Sequence, residues 1–199
     1  MSLSLVVLGD SIAFGTGAAV PADAIGPRLV RALAEDGVDA ALQVVAVPGA
    51  TSAGLATQVR QVTRAHLALV VVGSNDLTRL VPPATAARQL GDAVRDLRLL
   101  GADVLVVPAP DLSTVPWVPP SFQAMVSTAS GELRRQQTEA VRAAGGVAVP
   151  IGEELGQRFR AQPALFSADR FHPSSSGYAL IAEALLPVVR SIARARDAA

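Results

Sequence analysis

Short apolar runs rich in Val and Leu alternate with longer segments of helical periodicity along the whole chain. The runs predict five strands, at 3–8, 42–47, 67–72, 103–108 and 147–151. Nearly continuous apolar runs are typical of strands that are covered on both faces, as in a parallel sheet. The run at 147–151 is the weakest, because its proline suits the edge or the end of a strand.

Helices are predicted between and after these strands, at 27–36, 53–65, 84–100, 122–144 and 174–196. In 84–100 the apolar residues recur every three or four positions and share one helix face, and Gly101 follows as a stop signal. Strands that alternate with helices predict a three-layer α/β/α fold on a doubly wound parallel sheet of five strands. No internal repeat or change in composition divides the 199 residues, so we expect a single domain over 1–199.

The composition excludes several kinds of chemistry. All 17 basic residues are Arg, and the absence of Lys excludes a Walker A phosphate loop, a Schiff-base enzyme and a Ser-x-x-Lys hydrolase. The absence of Cys excludes thiol nucleophiles and zinc–thiolate sites, and two His leave little for a His-built metal site. We therefore expect neither a metal nor a cofactor. A net charge of zero shows no basic footprint for nucleic acid.

The location is predicted from the first strand. The apolar run at 3–8 is too short to span a bilayer and has no basic segment before it. We expect a cytoplasmic protein with no membrane span, and a leader ahead of Met1 is left open. The sequence does not predict the oligomeric state.

Ser11 is the first candidate for chemistry, because sites in open parallel sheets form where the strands end. It follows the first strand on a Gly9–Asp10 turn that would project its hydroxyl from the sheet edge. A Ser in this place more often caps a helix or closes a turn. The pattern is also close to the nucleophile elbow of α/β-hydrolases, but that elbow follows several strands rather than the first.

Asp169 and His172 precede the last predicted helix. A carboxylate three residues before a His can accept one ring N–H, which orients the imidazole and leaves its other nitrogen as a base. A turn would explain Asp169 and a helix cap would explain Ser174, but neither explains His172. His66 follows the predicted helix 53–65, so we expect it to be solvated or to interact with the helix dipole.

Gly49 and Asn75 follow the second and third predicted strands. Acyl transfer needs donors aimed at the oxygen that becomes negative, and the Gly49 N–H, the Asn75 amide and the N–H of Ser11 suit that role. Turns alone would also explain Gly49 and Asn75. Their position on the same sheet edge as Ser11 favours a common site. Asp10 and Asp76 are expected to brace their own turns by local hydrogen bonds.

Four blocks in this order resemble the SGNH hydrolase superfamily, the GDSL-type esterases and lipases. The blocks are Gly9-Asp10-Ser11, Gly49, Gly73-Ser74-Asn75-Asp76 and Asp169-x-x-His172-Pro173. The resemblance runs from Gly9 to Tyr178, with Ile12 where the family usually has Leu. It implies a flavodoxin-like strand order and a Ser-His-Asp hydrolase. In that hydrolase Ser11 is the nucleophile, His172 the base and Asp169 its partner, while the oxyanion donors are Ser11, Gly49 and Asn75.

The substrate is predicted only as a class. A small-molecule carboxylic ester with a short acyl group is expected, because no insertion is long enough to form a lid. Trp117, in a loop bounded by prolines, is the candidate for a substrate-binding wall, and Arg79 or Arg170 could hold an anionic group. Two alternatives stay open. One is an acyltransferase that passes the acyl group from Ser11 to a sugar or another alcohol, and the other is a non-catalytic ligand-binding domain.

Overall fold

In the computed structural model, which describes residues 2–149 and 153–197, five strands form one parallel sheet. They are β1 (Leu3–Gly9), β2 (Ala40–Val44), β3 (Leu67–Val71), β4 (Asp103–Val107) and β5 (Val147–Ala148). Their order is β2-β1-β3-β4-β5, and every neighbouring pair is parallel. The predicted five-stranded, flavodoxin-like sheet is confirmed.

Helices cover both faces of this sheet and give it the predicted three layers. They are α1 (Ser11–Phe14), α2 (Ile25–Glu35), α3 (Leu55–Val59), α4 (Ser74–Thr78), α5 (Pro83–Leu99), α6 (Pro120–Ala143), α7 (Glu153–Ala161) and α8 (Ser175–Asp197). The helices α2 and α8 pack together on one face, and α3, α5 and α6 lie on the other.

The two faces of β1 show why its sequence is almost continuously apolar. Leu5 and Val7 belong to the cluster with α2 and α8, whereas Val6 and Leu8 belong to the cluster with α3, α5 and α6. All four are fully buried. Burying one such side chain stabilises the fold by about 1.5–3 kcal/mol, so the sheet centre is a rigid support for the loop that follows β1.

Several predicted boundaries are wrong. The strand β2 begins and ends earlier than predicted, and the helix expected at 53–65 is a 3₁₀ turn (Ser52–Gly54) followed by α3, which stops at Val59. The single-turn helices α1 and α4 and the charged helix α7 were not predicted, because they are too short or too polar to show a clear apolar period. Residues 150 and 151 of the fifth predicted strand lie outside the described residues.

One described helix, α8, is long and apolar enough to cross a bilayer by length and composition alone. Its Tyr178, Leu185 and Val189 are fully buried in the cluster formed with β1 and α2. Packing within this domain therefore accounts for its hydropathy.

Candidate active site

The end of β1 is held in place by a glycine and a buried glutamine. Gly9 has a φ of 130°, and a Cβ there would lie 1.8 Å from the carbonyl oxygen of Val71. The amide of Gln58 accepts from the Gly9 N–H at 2.7 Å and donates to the Gly9 carbonyl at 2.8 Å. Asp10 then caps α1 by accepting from the Ile12 N–H at 2.9 Å, which confirms its local role. Ser11 is thus fixed as the first residue of α1.

The structure brings Ser11, His172 and Asp169 into one hydrogen-bonded chain. Nε2 of His172 lies 2.9 Å from Oγ of Ser11, and Nδ1 lies 2.6 Å from Oδ2 of Asp169. Because a carboxylate only accepts, Nδ1 is assigned the proton and donates to Asp169. Nε2 is then the acceptor for the Ser11 hydroxyl, which is the protonation state a base needs.

Asp169 is surrounded by hydrogen-bond donors. Its other oxygen, Oδ1, accepts from the N–H groups of Phe171 and His172 at 2.8 and 2.9 Å and from the Ser167 hydroxyl at 2.7 Å. Partial burial acts to raise the pKa of Asp169, but these bonds and the one from the His172 ring outweigh it. They hold the pKa well below its usual range, so Asp169 is an anion at neutral pH and can stabilise a cationic His172.

Backbone conformations that side chains rarely adopt occur in the loops of this site. Among the described residues, the non-glycine residues with positive φ are Leu80 (54°) and Arg170 (57°). Arg170 lies between Asp169 and His172, and Leu80 lies just after α4, the helix that contains Asn75. Each such residue costs about 1–3 kcal/mol and persists where the surrounding structure imposes it.

Two of the candidate oxyanion donors, Gly49 and Asn75, lie on segments that are hydrogen-bonded to each other. Gly49 turns with a φ of 82°, and Nδ2 of Asn75 donates to the Ala50 carbonyl at 3.1 Å. That bond uses one amide hydrogen and leaves the other for a ligand. Asp76 accepts from the Ser52 N–H at 3.1 Å and from its hydroxyl at 3.0 Å. The expectation of a local role for Asp76 is wrong, because Ser52 lies 24 residues away.

Asp10 and Asp76 are both buried carboxyl groups. Burial raises the pKa of Asp10 to about 7, with a smaller contribution from the charge of Asp76. Burial also raises the pKa of Asp76, against the hydrogen bonds from Ser52. The Oδ2 atom of Asp10 has no hydrogen-bond partner among the described residues, which fits a carboxyl group that is partly protonated near neutral pH.

Trp117 reaches His172 through a residue that the sequence did not single out. Trp117 stacks on Phe171 with ring centroids 5.9 Å apart, and the Phe171 ring meets the His172 ring edge-to-face at 5.0 Å. Trp117 is 53% exposed. Phe171 stands in the predicted Asp169–His172 block, and its position beside the imidazole was the signal that could have identified it.

The expected interaction of His66 with a helix dipole is wrong, whereas its partly exposed side chain agrees with the solvated alternative. The helix α3 ends at Val59, so His66 is not beside a helix end. Nδ1 of His66 accepts from the Ser4 N–H at 2.9 Å, and the His66 N–H donates to the Ser4 carbonyl at 2.9 Å. His66 therefore stabilises the start of β1 rather than serving the site.

Two cavities lie next to the site without including Ser11. The larger, of about 660 Å³, is lined by Asp10, by Ile12 and by α7, behind the nucleophile. The smaller, of about 390 Å³, is lined by the turn at Gly49 and by Arg79. Within residues 2–149 and 153–197, no group of three acidic, His or Cys side chains is placed to hold a metal.

Residues 7–180 match the sequence profile of the GDSL-like Lipase/Acylhydrolase family. The chain belongs to this family. The resemblance found in the sequence is confirmed. The chain is 42% identical over 192 residues to the GDSL-like esterase Rv1075c of Mycobacterium tuberculosis (strain ATCC 25618 / H37Rv). That match covers 94% of this chain but 61% of the relative, so the chain spans less than two thirds of the relative's length.

Several solved structures share the fold. TesA superposes with a TM-score of 0.77 at 21% identity, covering 95% of this chain and 99% of TesA. The psychrotrophic esterase EstA from Pseudoalteromonas sp. gives 0.73 at 17% identity, covering 94% and 97%. A variant of Axe2, an acetyl xylan esterase from Geobacillus stearothermophilus, gives 0.73 at 17% identity, covering 94% of each chain.

Proposed function

We propose that this protein is a serine esterase that hydrolyses small carboxylic esters through an acyl-enzyme on Ser11. The observation that carries the proposal is the continuous chain of contacts from Asp169 to His172, 2.6 Å, and from His172 to Ser11, 2.9 Å. A non-catalytic domain has no need of an imidazole held between a carboxylate and a hydroxyl.

The first half of the reaction forms the acyl-enzyme. Nε2 of His172 takes the Ser11 proton as Oγ attacks the ester carbonyl carbon, and Asp169 stabilises the resulting imidazolium. The carbonyl electron pair moves to its oxygen, which is met by the N–H groups of Ser11 and Gly49 and by the free amide hydrogen of Asn75. The tetrahedral intermediate then collapses, the bond to the alcohol oxygen breaks, and His172 returns the proton to the leaving alcohol.

The second half repeats the same steps with water. His172 removes a proton from water as the water oxygen attacks the acyl carbon, and the same donors hold the oxyanion. Collapse breaks the bond to Oγ of Ser11, which regains its proton from His172. The products are a carboxylic acid and the free enzyme.

The substrate is proposed to carry a short acyl group. The stacked pair Trp117 and Phe171 supplies an apolar wall beside His172. A series of esters with increasing acyl length tests this, with kcat/KM expected to fall as the chain lengthens. A clear preference for long chains would contradict it.

A serine-reactive phosphonate followed by intact mass spectrometry tests the nucleophile. One adduct is expected on the wild type and on a matched control, Ser121→Ala, which changes an exposed Ser outside the site. Ser11→Ala should not be labelled and should lose about 10⁴- to 10⁶-fold in kcat, as in other serine hydrolases. An unlabelled wild type would support the ligand-binding alternative, and a folded Ser11→Ala variant with full activity would refute the mechanism.

A further inference from the structure

The cavity of about 390 Å³ beside Gly49 has an unusual lining. It is formed by the turn 47–51, by Gly54, Thr57, Gln58 and Gln61 around α3, and by Arg79. Arg79 is the only charged residue among these, and the others offer small apolar groups, hydroxyls and amides. A volume near 400 Å³ is within the range of small-ligand sites, which combine an apolar lining with a few placed polar groups.

The guanidinium of Arg79 reaches over the turn that carries the proposed oxyanion donor. Its Nη2 lies 3.4 Å from the point that a Cβ on Gly49 would occupy. The Arg79 N–H donates to the Asn75 carbonyl at 3.0 Å, and Leu80, with its positive φ, follows directly. The backbone around Arg79 is thus fixed against Asn75, close to where an ester carbonyl would bind.

The charge of Arg79 is not used by the part of the chain that the structure describes. Arg28, Arg98 and Arg190 each bond to a carboxylate at 2.6–2.8 Å, but no described acidic group lies within 4.0 Å of the Arg79 guanidinium. The carboxylate of Asp76 bonds instead to Ser52, and the charge of Arg79 only partly offsets the burial that raises the pKa of Asp76. Arg79 therefore presents free donors to a ligand in the cavity.

The helix that lines this cavity and the helix that follows His172 pack on opposite faces of the sheet. The cavity lies with α3 on one face, whereas His172 precedes α8 on the opposite face and packs against Gly17. The imidazole must face the leaving alcohol, because it returns the proton to that oxygen. A cavity on the opposite side of the carbonyl is therefore positioned for the acyl group.

We propose that Arg79 and this cavity form a subsite for an anionic group on the acyl part of the substrate. The substrate class is a monoester of a short dicarboxylic acid, whose free carboxylate accepts two N–H bonds from the planar guanidinium. This rests on the proposed esterase function and adds a charge preference to it.

The test compares two esters that differ only in charge, monoethyl glutarate and ethyl glutaramate. The wild type should show a kcat/KM about 10-fold higher for the anionic ester, since hydrogen bonds that involve a charged group are stronger than neutral ones. The preference should shrink as salt is raised from 0.05 to about 0.5 M, because Arg79 is exposed and screened. Arg79→Gln should abolish the preference and Arg79→Glu should reverse it, whereas Arg88→Gln, at an exposed Arg on α5, should keep it.

Each of the other possible results refutes one part of the proposal. Equal kcat/KM for the two esters in the wild type, or an unchanged preference in Arg79→Gln, refutes the subsite while leaving the esterase intact. A preference for acetoxyacetate over acetoxyacetamide, with none between the glutarate esters, places the anionic group on the alcohol and refutes the acyl assignment. No hydrolysis of any ester, together with an unlabelled Ser11, refutes the proposed function and the subsite with it.

Discussion

Replacing Gly17 by Ala is expected to disable the site without changing any residue proposed to react. Gly17 has a φ of 94°, and a Cβ there would lie 2.6 Å from the Pro173 carbonyl oxygen and 2.9 Å from Cβ of His172. It would also lie 3.0 Å from Oγ of Ser167, which donates to Asp169. Since ordinary contact begins near 3.4 Å, the loop that carries His172 must move by about 0.8 Å to make room.

The size of the effect follows from two separate terms. A displacement near 1 Å in a catalytic group can reduce the rate by about 100-fold. An Ala with positive φ also costs about 1–2 kcal/mol in stability, and each kcal/mol lowers Tm by about 2–4 °C in a chain of this length. Gly37→Ala measures the stability cost alone, because Gly37 has a φ of 80° and a Cβ there would meet nothing within 4 Å.

The measurements are Tm and kcat/KM on one short-chain ester for Gly17→Ala, Gly37→Ala and the wild type. Both variants should lose a few degrees in Tm, but only Gly17→Ala should lose about 100-fold in kcat/KM. Wild-type activity in a folded Gly17→Ala variant would refute the reasoning, as would an equal loss of activity in Gly37→Ala.

Three further predictions concern the groups around Ser11. Asn75→Ala should lower kcat by about 100- to 1,000-fold with little change in Tm, as measured by steady-state hydrolysis, and a loss under tenfold would argue against an oxyanion role. His172→Ala should remove nearly all ester hydrolysis whereas His66→Ala should keep it, because His66 only supports β1. Because folding raises the pKa of Asp10 to about 7, its contribution to stability is complete below about pH 4 and is lost as pH rises through 7. Urea unfolding should show this loss of stability, at most about 4 kcal/mol. The variant Asp10→Asn should reduce the loss and leave the smaller one that comes from the raised pKa of Asp76. An identical pH profile in the variant would contradict the assignment to Asp10.

The strand pattern could be predicted because burial on both faces leaves a strong signal. The run at 3–8 is apolar at five of six positions, and in the structure it packs on helices from both layers. Helix ends were predicted less well, as α3 shows. It stops at Val59, although the helix predicted from the sequence continues to residue 65.

Some features of the candidate site could likewise be predicted from the sequence, and others could not. Ser11, Gly49 and Asn75 could be predicted because each lies in a segment that leaves the carboxyl end of a strand, and parallel strands end at one edge. The hydrogen bond between Asp76 and Ser52 could not be predicted, nor could the stacking of Trp117 on Phe171. Neither pair has a fixed spacing in sequence, so nothing in the chain marks its members as partners.

The sequence by itself determined the architecture and which residue types are available for chemistry, because periodicity and composition are local properties of the chain. With no Lys or Cys and with His66 committed to β1, His172 is the imidazole that remains for a base. Only the tertiary structure decided which groups come into contact. It set the distance from His172 to Ser11, and it placed Gly17 against the loop that carries His172. It also decided the position of Arg79 over Gly49. These contacts join segments as much as 161 residues apart, and only the packing of helices on both faces of the sheet brings them together.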